Sequence, residues 1–381
     1  MSIGFSEIPA NARVPGVYIE IDNSLANSAE ELQIMLAIGE AVDGAKVAPN
    51  KVTLCMDEEV AKTEFGADGK ISSIVEMITY FRKQDDTMPI YAISVDGDDT
   101  ASALAALGDV QYHHIMCSLN DDTTINDLGQ FLEARYTALE QVPGIAYLPK
   151  KGTHAELITF APTSNCPLID FFPINNLGDS AGDVLSDAAA IGAWAGQVAP
   201  SLAIDPCRPL QTLKLNGVYS LAAQEWDWAE RNLFLYEGLS TYTVNGAKEV
   251  SVERAVTAYT ENAAGVADNS YLDVMTPATA MYFRQKQRSL ILSTYPRHKV
   301  AKDGTKFAKG QPIVTPSMIK TKLLILYREL EYQGIVQDFE GYKKSLIVEL
   351  DENNKQRVNY QDSPQFVNGL MIVAGKIQFR K

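Results

Sequence analysis

Residues 295–334 read YPRHKVAKDGTKFAKGQPIVTPSMIKTKLLILYRELEYQG, and the C-terminal third of the chain is organised around them. The first half is a basic loop punctuated by Gly304, Gly310 and Pro312. The second half has the marks of a helix. Thr315 is a good N-cap, and Pro316 suits the first helical position, where its missing N–H costs nothing. Ile319, Leu323, Leu326, Tyr327 and Leu330 recur at helical spacing, and Gly334 is a C-terminal stop. Taken alone, such a stretch suits a nucleic-acid site, a protein-docking surface or an active-site lid.

Charge narrows these choices. The chain of 381 residues has a formal net charge of −15, yet residues 281–329 hold eleven basic and two acidic residues. Residues 1–130 hold 22 acidic and 7 basic residues. An acidic chain with one basic region suits an acidic protein partner better than nucleic acid, because the remaining charge repels phosphates. The length allows two or three domains. No signal peptide and no apolar run of membrane-spanning length is visible, so a soluble, cytoplasmically made product is expected. Cys55, Cys117, Cys166 and Cys207 are scattered, which predicts buried free thiols rather than disulfides or a zinc site.

Outward from the opening stretch, the chain predicts an α/β (α+β) protein with four parts. Residues 1–23 form an N-terminal arm in which Val17, Ile19 and Ile21 alternate with polar residues as in a strand. Residues 24–252 alternate strands and helices, a mixed-sheet α/β domain. Strands are expected at 33–38, 51–56, 89–95, 112–118, 145–148, 156–160 and 168–173. Helices are expected at 58–65, 70–84, 100–107, 124–139, 183–198 and 225–236. Residues 253–362 form an α+β domain. It has a helix opened by Thr276-Pro277, the helix after Thr315, and a hairpin carrying Leu346, Val348 and Leu350 on one strand and Val358 on the other. Residues 363–381 form a C-terminal arm. It starts as a linker with Pro364 and Gly369 and ends on a strand with Met371, Val373, Ile377 and Phe379 on one face. A terminal strand needs a sheet edge, which this chain or another copy can supply.

Motifs of catalysis are missing from the sequence. It has no phosphate-binding G-x-x-x-x-G-K-[ST], no dinucleotide G-x-G-x-x-G after a strand, and no G-x-S-x-G elbow. His113 and His114 fall side by side on an expected strand, so they face opposite sides and cannot share a metal. Asp96–Asp99 lacks the sixth-position glycine and the twelfth-position glutamate of a calcium loop and reads as a turn. Asn120–Asp127 reads as a turn that caps a helix. No catalytic, cofactor or metal residues are expected. A subtilisin-like hydrolase is the enzyme-class alternative, because a Ser-His-Asp set assembles from distant positions.

Six stretches, spread nearly from end to end, carry a family resemblance: IPANARVPGVYIEIDNSLAN (8–27), RPLQTLKLNGV (208–218), ERNLFLYEGLSTYTV (230–244), AYTENAAGVADNSYLDVMTP (258–277), YPRHKVAKDGTKFAKGQPIVTPS (295–317) and VNGLMIVAGKIQF (367–379). The chain resembles the tail sheath proteins of contractile-tailed phages, the Mu-like branch in particular. Residues 85–205 match only loosely, and large outer insertions seen in some sheath proteins are missing.

The resemblance implies a structural subunit with no active site, polymerised as hexameric rings stacked into a helical sheath around a tail tube. It implies partners in the tail tube, baseplate and tail terminator proteins. No nucleic acid, cofactor or membrane insertion is implied, and the place of action is the virion tail after assembly in the host cytoplasm. It implies that the arms, through Val17, Ile19, Ile21, Met371, Val373, Ile377 and Phe379, complete a sheet on a neighbour. The hairpin with Leu346, Val348 and Val358 would receive them. With the inner position that the resemblance implies, the charge asymmetry makes Lys320, Lys322 and Arg328 candidate contacts to the tube. A phage-derived injection particle of the R-type bacteriocin kind is the alternative within the family.

Overall fold

The computed structural model describes residues 32–160 and 165–380. The chain opens on β1 (Met35–Glu40), β2 (Thr53–Leu54), α1 (Glu58–Phe65), α2 (Ser73–Arg82), β3 (Ile90–Val95) and α3 (Thr100–Ala105). Then come β4 (His114–Cys117), α4 (Asp122–Tyr136), β5 (Ile145–Lys151), α5 (His154–Phe160) and β6 (Ile169–Ile174). The strands form one sheet in the order β2-β3-β1-β4-β5-β6, parallel except where β2 runs against β3. These strands are apolar along nearly their whole length because both sheet faces are covered. Acidic turns cap the helices that follow: Asp99 accepts from the backbone N–H of Ser102, and Asp121 from those of Thr123 and Thr124.

After β7 (Leu177–Gly178), α6 (Asp187–Ile204) lies on the sheet and against α2. Its small residues let the backbones meet. A Cβ at Gly192 would lie 2.3 Å from the carbonyl oxygen of Met77. Helix α6 continues through Pro200, although a proline inside a helix costs about 3 kcal/mol. The burial of Trp194, Val198, Ala199 and Leu202 outweighs that local cost. Three strands then join β7: β8 (Lys214–Ser220), β9 (Thr241–Val244) and β10 (Glu249–Arg254). With α7 (Trp228–Tyr236) between β8 and β9, they form an antiparallel sheet in the order β7-β8-β10-β9. Asp170 ties the two sheets together. Its carboxylate is fully buried, receives Trp194 Nε1–H at 2.8 Å and is bonded by the Ser240 hydroxyl.

The C-terminal part begins with α8 (Met275–Thr294), followed by β11 (Lys299–Val300), β12 (Ile313–Val314) and α9 (Pro316–Tyr332). It closes with β13 (Val336–Gln337), α10 (Phe339–Ser345), β14 (Ile347–Leu350), β15 (Val358–Gln361) and β16 (Gln365–Phe366). Two hydrophobic cores meet on α8: Met275 and Ala278 belong to the large core, and Phe283 to the small one around Leu323, Tyr327 and Leu330.

Two expectations are corrected, and one strand was not anticipated. Glu156–Phe160 is helical, because Thr153 and Glu156 form a reciprocal capping pair: Thr153 N–H donates to Glu156 Oε2 at 2.7 Å, and Glu156 N–H to Thr153 Oγ1 at 3.4 Å. Helix α8 starts at Met275, and Pro277 sits as its third residue. Proline is tolerated there because first-turn N–H groups lack helical partners. Strand β8 escaped the sequence reading, since Gly217 at φ +77° breaks its alternation.

Candidate assembly surfaces

Helix α9 starts at Pro316 and stops before Gly334, whose φ of +79° suits glycine. Thr315 takes the N-cap place without a side-chain cap bond. Asp303, from the basic loop, caps instead: its Oδ1 accepts from Ser317 N–H at 3.1 Å and from the Ser317 hydroxyl at 2.5 Å. Bonds from the Ser317 and Thr315 side chains hold the Asp303 carboxyl below its ordinary pKa. A residue fourteen positions upstream thus fixes the loop to the helix.

The inward face of α9 is the expected set, Ile319, Leu323, Leu326, Tyr327 and Leu330. The Tyr327 ring stacks on Tyr342 at 3.6 Å between centroids. Its hydroxyl donates to the Gln337 carbonyl at 2.6 Å and accepts from Gln365 N–H at 3.2 Å. The outward face is mixed: Met318, Lys322, Ile325 and Tyr332 are exposed, with Tyr332 at 95%. The three cations expected on this helix have different fates. Lys320 Nζ donates to the Leu346 carbonyl at 2.6 Å and is half-buried, so it is engaged within the chain. Arg328 is exposed and lies over the Phe339 ring at 4.1 Å. Lys322 is exposed and enters no ion pair among the described residues.

The expected hairpin is present, pairing Val348 with Tyr360 and Leu350 with Val358. Leu346 is corrected: it precedes the strand as the C-cap of α10, and its side chain is buried in the small core. Val348 and Val358 pack against that core, and Tyr360, opposite Val348 on the same face, donates its hydroxyl to Gln287 Oε1 at 3.2 Å, while Ile347 faces outward. Among the described residues this ribbon has two strands only, so its outer edges present unpaired backbone groups.

Residues 361–369 are anchored more firmly than a linker. Strand β16 pairs with β13, Val336 opposite Phe366. Asp362 Oδ2 receives Gln287 Nε2–H at 2.5 Å and the Tyr342 hydroxyl at 2.9 Å. Gly369 packs so closely on Pro209 that a Cβ there would lie 2.8 Å from the proline ring. Beyond it, Gln211 Nε2 donates to the Leu370 carbonyl at 3.2 Å, and Met371 packs on the large core. Ile372 (78%), Val373 (82%), Ile377 (93%) and Phe379 (81%) are exposed, with no paired strand among the described residues. Val17, Ile19 and Ile21 lie outside the described residues.

The four cysteines and His114 are buried. Cys55, Cys117 and Cys166 are free thiols pushed up to about 12 by burial. His114 Nε2–H donates to Gln33 Oε1 at 2.6 Å, and Nδ1 accepts from the Tyr147 hydroxyl at 2.9 Å. Burial lowers His114 to about 3 and His113 to about 4. Among the described residues, no group of three or more His, Cys, Asp or Glu side chains is placed to hold a metal ion. The sequence reading missed α10, whose signal was Asp338 placed to cap at Gly341.

Comparison with known proteins matches this arrangement to one family. The phage tail sheath protein central domain matches residues 94–258, and the phage tail sheath C-terminal domain matches residues 266–380. The Mu-like prophage FluMu tail sheath protein of Haemophilus influenzae is 42% identical over 281 residues, which is 74% of this chain and 56% of that protein. The match therefore spans a little over half the length of that relative. The fold is similar to the sheath complex of an extracellular contractile injection system, PVC, in the contracted state (TM-score 0.63, 11% identity, 97% of this chain and 98% of that one). It is also similar to the contracted helical sheath of the anti-feeding prophage (TM-score 0.60, 14% identity, 96% and 99% covered). A sheath tail protein from Listeria innocua gives a TM-score of 0.62 at 11% identity, with 90% and 95% covered. With both domain matches falling on one chain, and a close relative in a Mu-like prophage, the chain belongs to the phage tail sheath family.

Proposed function

We propose that the chain is the sheath subunit of a contractile phage tail. Copies polymerise as hexameric rings stacked around a tail tube, and contraction drives the tube through the host envelope. The match of both sheath domains, over residues 94–258 and 266–380, carries this reading. In it, residues 24–252 form the outer domain and residues 253–362 the inner one. The arms at 1–23 and 363–381 link neighbours, using Val17, Ile19, Ile21, Met371, Val373, Ile377 and Phe379. Val348 and Val358 of the hairpin help to receive them, with the buried Leu346 seating the ribbon from below. The partners are further copies, the tail tube, and the baseplate and terminator proteins; the place is the virion tail, after assembly in the host cytoplasm. The role is mechanical, without catalysis, cofactor or nucleic acid.

Two features of the geometry support strand exchange. The β14–β15 ribbon has open edges, and the tail beyond Gly369 exposes apolar side chains that a lone chain leaves in water. Lys322 and Arg328 are the cations on α9 that remain available to an acidic tube, whereas Lys320 is spent on Leu346. Negative-stain electron microscopy of the full chain, and of a chain ending at Gly369, tests the reading. The full chain should form hollow tubes or rings. The shortened chain should stay monomeric with its thermal midpoint within about 1–2 °C of the full chain, since the removed residues bury little. Tubes formed equally well without residues 370–381 would refute strand exchange by this tail.

A further inference from the structure

Helix α7 leaves two large aromatic side chains in water: Trp228 is 72% exposed and Tyr236 74%. Trp228, Asn232, Leu235 and Tyr236 follow one another at helical spacing, so they share one face of the helix. Asn232, Leu235 and Tyr236 line an open groove of about 580 Å³, together with Tyr259, Leu272 and Ile372 of the C-terminal tail. The two charged residues in its lining are already engaged. Arg254 pairs with Asp273 through two bonds at 2.7 and 3.0 Å, and Asp268 accepts from the Tyr259 hydroxyl at 2.8 Å. The surface left open combines aromatic, apolar and neutral polar groups. That is the composition of a protein interface with Trp and Tyr as anchors.

The tail indicates what covers this surface. It is fixed as far as the groove: Gly369 packs on Pro209, Gln211 holds the Leu370 carbonyl, and Met371 lies on the large core. Ile372 stands in the lining, and beyond it Val373, Ile377 and Phe379 are exposed. The chain's own tail therefore passes the groove without filling it. The seven residues from Val373 to Phe379 span at most about 24 Å when extended. A copy that takes up this tail is thus held within that distance of Ile372. Helix α7, with nine residues and a length of about 14 Å, touches the same groove and lies within that range.

We propose that the groove and the Trp228–Tyr236 face of α7 bind a second copy of this chain, the copy that receives this tail. The inference rests on the strand exchange proposed above and adds a side-chain contact beside it. Main-chain bonds of the exchanged strand hold the two copies together. The aromatic face fixes the orientation of the recipient, which a tail in extended conformation does not do by itself.

Photo-crosslinking and assembly of the full chain test the contact. Tyr236→benzoylphenylalanine keeps an aromatic side chain and makes it photoreactive. Irradiated in a mixture of isotopically labelled and unlabelled chains, it should link to a second copy, and mass spectrometry separates such links from those within one chain. The same variant ending at Gly369 should give no link between copies. Trp228→Ser and Tyr236→Ser change exposed side chains, so the thermal midpoint should stay within about 2 °C of wild type. Each should raise the concentration at which tubes form at least about tenfold. Tubes formed by both serine variants at the wild-type concentration would overturn this contact and leave strand exchange standing. Links confined to residues 373–380 of the same chain would also overturn it, giving the groove to the chain's own tail, as would the lack of any link between copies. Links to a second copy without tubes would support the contact and count against the sheath reading.

Discussion

The two parts of the chain complete their backbone hydrogen bonding in different ways. In the N-terminal part, six strands form one sheet and four another, and Asp170 binds the sheets together. Its largest buried side chains, such as Trp194, Phe171 and Phe172, are wholly shielded. Among the described residues, the C-terminal part has only two-stranded pieces, β11–β12, β13–β16 and β14–β15, held by α8 and α9, and it carries an exposed apolar tail beyond Gly369. One part is stabilised by its own core. The other packs a smaller core and keeps strand edges and apolar side chains exposed.

The sharpest way to break this contrast is in the large core. Trp194→Ala removes a fully buried ring that stacks on Phe172 at 4.4 Å and donates to Asp170. It should lower stability by about 3–5 kcal/mol in denaturant titration. A loss below about 1 kcal/mol would mean that the first part is not the stabilising one.

A second test uses pH. His113 and His114 have folded values lowered to about 4 and about 3 from 6.5, so the stability they contribute is present above pH 6.5 and lost on acidification. Burial raises Asp170 from 3.8 to about 7, which acts the other way: its stability is present below pH 3.8 and lost as pH rises towards 7. Between about pH 4.5 and 6, unfolding takes up two protons at the histidines and releases one from Asp170. Asp170→Asn should therefore raise this group's pH slope from about 1.4 to about 2.8 kcal/mol per pH unit. Parallel wild-type and variant curves over that range would show that Asp170 is ionised in the fold.

The smallest effect belongs to α9. Lys320→Met breaks the bond to the Leu346 carbonyl that seats the hairpin and should cost about 1 kcal/mol. Lys322→Met should leave stability within about 0.5 kcal/mol while weakening attachment to a tube. Equal stability losses in the two variants would erase the distinction between a seating and a docking lysine.

The helix at α9 shows how much of the surface was legible. Pro316, the apolar spacing and Gly334 set its ends and its inward face from local chemistry, but the cap expected of Thr315 is supplied by Asp303 instead. Helix α5 was equally local, since the Thr153–Glu156 pair was visible, although Ile158, Thr159 and Phe160 favour a strand by residue type. The cleft between α8 and the N-terminal ends of β1, β4 and β5 was not legible at all: His113 and Arg284, which line it, stand 171 positions apart, and nothing in either neighbourhood marks the other.

By itself, the sequence determined the alternating α/β order, the ends of α9 and the resemblance to sheath proteins, because each rests on spacing within a few residues or on matched stretches; the strand expected at 370–379 is not formed within the described residues. Only the tertiary structure decided that Asp303 caps α9, that Lys320 serves Leu346 and that 365–366 is pinned by β13. Each of those depends on groups brought together by packing, and a side chain's partner is set by what folding places within about 3 Å of it.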